Sequence, residues 1–390
     1  MKKSIPLILS FFSASLFAEV QLSPLALTEI GKVSQFDLSE QGELIFINRQ
    51  NELWKMVNQA QKLADGVSTE IEPKAQHQRI ALADKNGYFM LWTADKIYTS
   101  DIPLAPKATM VSLNFATIAV TKQHGQFMLA RIETQGNQVT ITASAETEVL
   151  PDTHPLQIDF DSETPNQGHI AVLAKPDDAT YQHGVLGDDI EAGEIQFLER
   201  HTLKPLAEKL TQKGRVFEAN RFATLTENGK TKLISVIAGD GNGASTAVIS
   251  LKEGKLLIEI ESESLPTNRW QSPFSFNNKL YAIQMPHLKG NLVEYSLKGN
   301  RLTERFITSG LSNHRYGDYE TNLAAATDHF AIIPKAGYQQ LIVLGKTGNI
   351  TELPMVLPAE IKQTKAYANK VYLLLKNGQI WIAEEKQNNL

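Results

Sequence analysis

Short apolar, β-branched and aromatic runs, broken by Gly, Asn, Asp or Lys, return along the whole chain, from "GELIFINRQNELWKMV" near its start to "KVYLLLKNGQIWIAEE" near its end. Each unit is a pair of such runs about a turn, the pattern of consecutive antiparallel hairpins. The turn residues before the strongest run of each unit are Gly42, Gly87, Gly125, Gly168, Gly229, Asn278, His329 and Asn369. Their spacing averages roughly 47 residues, and a four-stranded propeller blade takes about 40 to 50. No segment has the length and period of a substantial amphipathic helix; the nearest, Lys204 to Gln212, is short. The expected class is all-β: a β-propeller of eight four-stranded blades, or seven if the unit around Gly168 is irregular.

Closure of such a ring is legible at the termini. After Asn369 the chain supplies two strong strands, while "VQLSPLALTEI" stands before the first unit without a partner of its own. The N-terminal strand is therefore expected to join the C-terminal blade, leaving no open edge. The longest interval, between Gly168 and Gly229, holds the polar stretch "KPDDATYQHGVLGDDIEAGEIQFLERH". An insertion loop around 174–194 is expected there, on one face of the ring, where a rigid scaffold presents binding residues.

The opening "MKKSIPLILSFFSASLFAEV" sets two lysines before an apolar run and a small residue, Ala18. It reads as a cleaved export signal over 1–18, followed by one propeller domain over 19–390. The apolar run is shorter than the roughly 20 residues a spanning helix needs, and no later segment reaches that length. The expected location is the periplasm, or secretion beyond it, with no membrane span. With no cysteine in the chain, disulfides and thiolate metal sites are excluded, and a large core must supply the stability. A formal charge of -5 offers no basic face to nucleic acid, so none is expected as a partner. A monomer is expected.

Nucleophile and metal signatures are missing: no G-x-S-x-G elbow, no H-E-x-x-H helix. Partial calcium-loop patterns occur. "DFDSETPN" sets Asp159, Asp161 and Glu163 at alternate positions, which could supply several oxygens to a hard cation. "GDGNGAS", with Asp240 and Asn242, is explained as well by a hairpin turn.

A larger set of polar residues stands in the C-terminal two thirds, several of them just before the first strand of a unit, where a propeller converges on its channel. It comprises His183, Asp188, Asp189 and Glu191 in "QHGVLGDDIEA", Glu218 in "RVFEANR", and Asn268, Arg269 and Trp270 in "TNRWQSP". His287 and Glu294 in "MPHLKGNLVEY" and Asn313, His314 and Arg315 in "SGLSNHRYGDYE" complete it. Brought together, they would suit a polar or anionic ligand: guanidinium forks, an indole to stack on, and neutral imidazoles.

The stretches "HGVLGDDIEA", "LERHTLKPL", "NRWQSP", "MPHLKGNLVEY" and "SNHRYGD" resemble those of a family of exported proteobacterial proteins with propeller-type folds and no assigned activity. The likeness covers roughly residues 180 to 320 and implies export and a propeller, but no reaction and no catalytic residues.

Three function classes follow. The first is a binding module that takes a partner protein or small polar ligand at one face. The second is a hydrolase or lyase, with His183, His287 or His314 as acid or base, Asp188 or Glu191 orienting it, and Arg269 and Arg315 holding substrate charge. The third is a structural component of an envelope assembly.

Overall fold

A computed structural model describes residues 19–94, 96–164, 167–298 and 301–386. The expected export signal, 1–18, lies outside the described residues. Eight antiparallel units follow one another around a central channel. Their innermost strands are Val33–Leu38, Lys74–Gln76, Val111–Ser112, Leu156–Ile158, Ala223–Glu227, Gln271–Phe276, Ala325–Ala326 and Ile361–Tyr367. Six units are separate four-stranded sheets. Blades four and five are fused into one nine-stranded sheet, because Arg215–Phe217 pairs on one side with Glu191–Leu198 and on the other with Lys230–Gly239.

The ring closes as the termini suggest. Val20–Pro24 pairs antiparallel with Ile380–Glu385, in register from Val20 opposite Glu385 to Pro24 opposite Trp381, and becomes the outer strand of blade eight. Pro24, which donates no backbone hydrogen bond, sits at the end of this edge strand, where that loss is harmless.

Packing explains the apolar runs. Blades face one another like sectors, so their middle strands are buried on both sides; Leu44–Asn48 and Phe330–Pro334 are buried throughout. Eight clusters fill the eight spaces between neighbours. Phe36 and Phe46 of blade one meet Leu374 and Ile380 of blade eight, and Val120 and Leu129 of blade three meet Ile170 and Val172 of blade four. No interface is left open, which is what a closed toroid requires.

Two turn assignments shift. Gly87 and Gly125 lie between the second and third strands of their blades, whereas Gly42, Gly168, Gly229, Asn278, His329 and Asn369 lie between first and second. The inner strands Lys74–Gln76 and Val111–Ser112 are too short to register as apolar runs. The turn after the former uses His77 and Gln78 at positive φ in place of glycine. Lys204 to Gln212 is not helical; it contains the short strand Leu210–Thr211.

Candidate functional site

Segments that link an outer strand to the next inner strand, and those between second and third strands, emerge on one face of the ring. Twelve of the thirteen polar candidates fall on such segments or at their margins, the exception being Glu294, inside Asn291–Lys298. Convergence is therefore a consequence of ring closure, and the side chains confirm it for most of the set.

The insertion between His169–Asp177 and Glu191–Leu198 is held down by its own apolar residues. Val185 and Leu186, in a single 3-10 turn, pack with Trp270, Val236 and Ala244. Tyr181 packs with Val216 and Ala238. This loop is anchored, unlike an ordinary surface excursion.

From Tyr181 a string of rings crosses the face. Tyr181 touches His183 edge-on; His183 Nδ1 and Glu218 Oε1 share a hydrogen bond at 2.6 Å. Trp270 Nε1 donates to the Glu218 carbonyl at 3.0 Å, and its ring lies 4.8 Å from that of His314. His314 Nδ1 is 3.0 Å from His287 Nε2, and His287 meets Tyr316.

Tautomers follow from the acceptors. His314 Nε2 donates to the Asp318 carbonyl at 2.7 Å, so a neutral His314 offers a bare Nδ1 and accepts from His287 Nε2–H. Burial holds both rings neutral, with pKa values pushed down to about 3 for His314 and about 4 for His287.

Beneath the insertion lies an acidic floor. Glu191 and Glu218 are fully buried, and Glu191 Oε1 and Glu218 Oε2 have no hydrogen-bond partner among the described residues. Burial, then the neighbouring Glu218, Asp152, Asp188 and Asp189, raises the Glu191 carboxyl well above its ordinary value. Burial likewise lifts Glu218 and Asp152 to about 7 each.

The face is capped across the ring axis. Gly317 N donates to the Val185 carbonyl at 2.9 Å, and Tyr319 Oη donates to the Gly187 carbonyl at 3.1 Å. Lys107 reaches the Tyr319 hydroxyl and lies 3.5 Å from its ring centroid. Lys107 precedes blade three and Tyr319 precedes blade seven, opposite positions in an eight-blade ring. Gly187 is required here: its φ is +107°, and a Cβ would meet Tyr319 Cζ at 2.8 Å.

The remaining candidates divide. Arg315 is a clamp, with Nε donating to Glu360 Oε2 at 3.1 Å, Nη1 to Asp318 Oδ2 at 3.3 Å, and the fork lying over Tyr338. Asn313 is buried and donates to Asn322 Oδ1. Arg269 bonds only the Asn268 carbonyl and has no carboxylate partner among the described residues. Asn268 is exposed; its backbone N–H donates to Tyr181 Oη. Asp188 Oδ1 accepts from Ile190 N, and Asp189 Oδ1 approaches Gly184. Glu294 stands apart, paired with Lys279 and Arg305.

Asp159, Asp161 and Glu163 lie at the opposite face. Asp159 Oδ1 accepts from Asp161 N, and Asp161 pairs with Lys230. Among the described residues no three His, Asp or Glu side chains group so as to hold a metal ion, so the calcium expectation finds no cation centre there. Asp240 occupies a hairpin turn at positive φ, as the turn reading of "GDGNGAS" expects.

Tyr181, Asp152, Lys107, Gly187 and Tyr319 belong to this site but were not singled out in the sequence. Lys107 and Asp152 stand in connections without any charge cluster, and nothing in local spacing links Lys107 to Tyr319, 212 residues on, or Asp152 to Glu191.

These features define a β-propeller with one loop-capped face. Among solved structures it is similar to BamB from Moraxella catarrhalis, with a TM-score of 0.56, 13% identity, and coverage of 93% of this chain and 100% of that one. It is also similar to the Dos1 propeller, with a TM-score of 0.56, 8% identity, and coverage of 93% and 95%. The computationally designed Ika8 protein gives a TM-score of 0.56 at 12% identity, over 90% and 96%. At these identities the likeness concerns the fold alone. No protein-family model and no curated protein matches the sequence, so the resemblance over residues 180 to 320 gains no support from sequence comparison.

Proposed function

We propose that this protein is a periplasmic binding module whose capped face contacts a partner protein. The observation that carries the reading is a contrast on that face. Most inner polar groups are committed to one another, while Tyr316 and Leu288, each 66% exposed, stand outward beside His287 at one end of the string of rings, and Arg269, next to Trp270 in the chain, has no carboxylate partner among the described residues. Aromatic and arginine side chains around a rigid, desolvated centre are the residue types that dominate protein interfaces. Acid–base work by His287 or His314 is poorly served, since burial keeps both neutral and both nitrogens of His314 are engaged. Export to the periplasm is supported by the N-terminal pattern of two lysines, an apolar run and a small residue.

The test is site-specific photocrosslinking in intact cells, with the reactive group at position 316 or, as a control, at Ile141 on the outer strand Gln138–Glu148. A discrete crosslinked species is expected from 316, lost in Leu288→Asp, and none from 141. Because both side chains are exposed, stability should change by only about 0.5 kcal/mol or less. Crosslinks equal at the two positions, or absent from 316, would reject the assignment.

A further inference from the structure

Below the cap, between the inner strands of blades five, six and seven, lies a cavity of roughly 360 Å³. Trp270 lines it on the side of the capped face. Toward the opposite face it shares Thr224, Ser275 and Ala326 with a second hollow, formed by the turns of blades five to eight. A third hollow of roughly 330 Å³ shares Arg221 and Leu156 with the first.

The polar groups facing the first cavity have one character. Ser272 Oγ and Ser275 Oγ are spent on the Thr321 and Thr224 carbonyls. Asn322 Oδ1 accepts from Asn313 Nδ2 and from Ala324 N, which leaves its amide hydrogens without a protein partner among the described residues. Arg221 gives Nη1 to Glu320 at 2.7 Å, but its buried Nε–H has no partner. Ser235 is almost fully buried and its Oγ has no partner either.

Three side chains whose donors lack a partner among the described residues thus line one space, whose walls also include Phe274, Trp270, Pro273 and Val236. Leaving such groups unpaired is costly. No carboxylate lines the cavity itself; Glu320, the partner of Arg221 Nη1, lies in the neighbouring hollow. We infer that this cavity is a binding site for a small organic carboxylate with a short apolar body, its oxygens accepting from Arg221 Nε, Asn322 Nδ2 and Ser235 Oγ. The volume is that of a small-ligand site. Arg221 supplies a charge-assisted bond of the kind that favours carboxylates.

Calorimetric titration of the folded protein with pentanoate, against pentanol as a control without charge, tests the assignment. Pentanoate is expected to bind saturably in the millimolar range or tighter, and pentanol not to compete. Arg221→Gln should weaken binding roughly tenfold or more. Because that change also unpairs Glu320, Ser235→Ala provides the second variant: it removes a hydroxyl with no protein partner, so folding is unaffected, and binding should weaken roughly threefold to tenfold. Tyr316→Ala, at the outer face, should leave the titration unchanged. Absence of saturable pentanoate binding, or binding equal in wild type, Arg221→Gln and Ser235→Ala, would overturn the proposal.

Discussion

Glu191→Gln is expected to make the protein measurably more stable at pH 8 while changing little near pH 4. Glu191 is buried without a partner for Oε1, on a floor shared with Glu218, Asp152, Asp188 and Asp189. A carboxyl whose pKa is raised by folding favours the folded state only in its protonated form. Below the ordinary value of 4.5 it is protonated whether the chain is folded or not, and nothing is lost. As pH rises past that point the unfolded chain ionises first, and stability falls until the buried group ionises too. For Glu218 and Asp152 that window closes at about 7. The wild type should accordingly lose stability between about pH 4 and pH 7 or beyond, as chemical denaturation across that range will show. Glutamine has nearly the same shape and no charge, so the variant should show a shallower decline. Parallel curves for the two proteins would mean that Glu191 is ionised and satisfied in the fold.

Trp270→Ala should be the most damaging single change on the capped face, costing about 3–5 kcal/mol. The indole is nearly fully buried, packs with Val185 and Leu186, donates to the Glu218 carbonyl, and abuts His314. Its removal takes the support from beneath the insertion loop. The loop should then become sensitive to proteolysis near 178–190, and the His287 and His314 pKa values should climb from about 4 and about 3 toward the ordinary imidazole value as water enters. Denaturant melts and histidine NMR titrations read both effects. A loss below about 1 kcal/mol with unchanged histidines would show that the cap is held by other contacts.

Blade number and ring closure were legible because both rest on strongly apolar strands of five to ten residues and on an unpartnered terminal strand. Placing the turns was harder in blades two and three, where the innermost strand shrinks to three and two residues and the glycine, Gly87 or Gly125, stands one turn further along. Such strands need little hydrophobicity, since they line a channel and do not pack between blades. The convergence of His183, Glu218, Trp270, His287 and His314 followed from topology, but their pairing did not: spacing cannot tell that Glu218 meets His183, or that Arg315 is spent on Glu360. The channel charges were invisible for a similar reason. Asp37, Arg221, Glu320 and Lys365 are single residues in separate blades, and only the ring pairs Asp37 with Lys365 at 2.7 Å and Arg221 with Glu320 at 2.7 Å. Burial would raise the Asp37 carboxyl, yet Lys365 and Lys74 hold it below its ordinary value.

The account depends on the chain's two ends meeting in one blade, because that contact closes the ring and sets opposite loops over a common axis. Ser23 stands opposite Ile382 in the closing strand pair, and the chain has no cysteine of its own. In Ser23→Cys/Ile382→Cys, mild oxidation should form a single intramolecular disulfide. That bond would close a loop of roughly 360 residues, giving a compact species on a non-reducing gel and about 4–5 kcal/mol of added stability if strand geometry is undisturbed. Thiols that stay free in the folded protein, or that bond only between molecules, would contradict the closed ring.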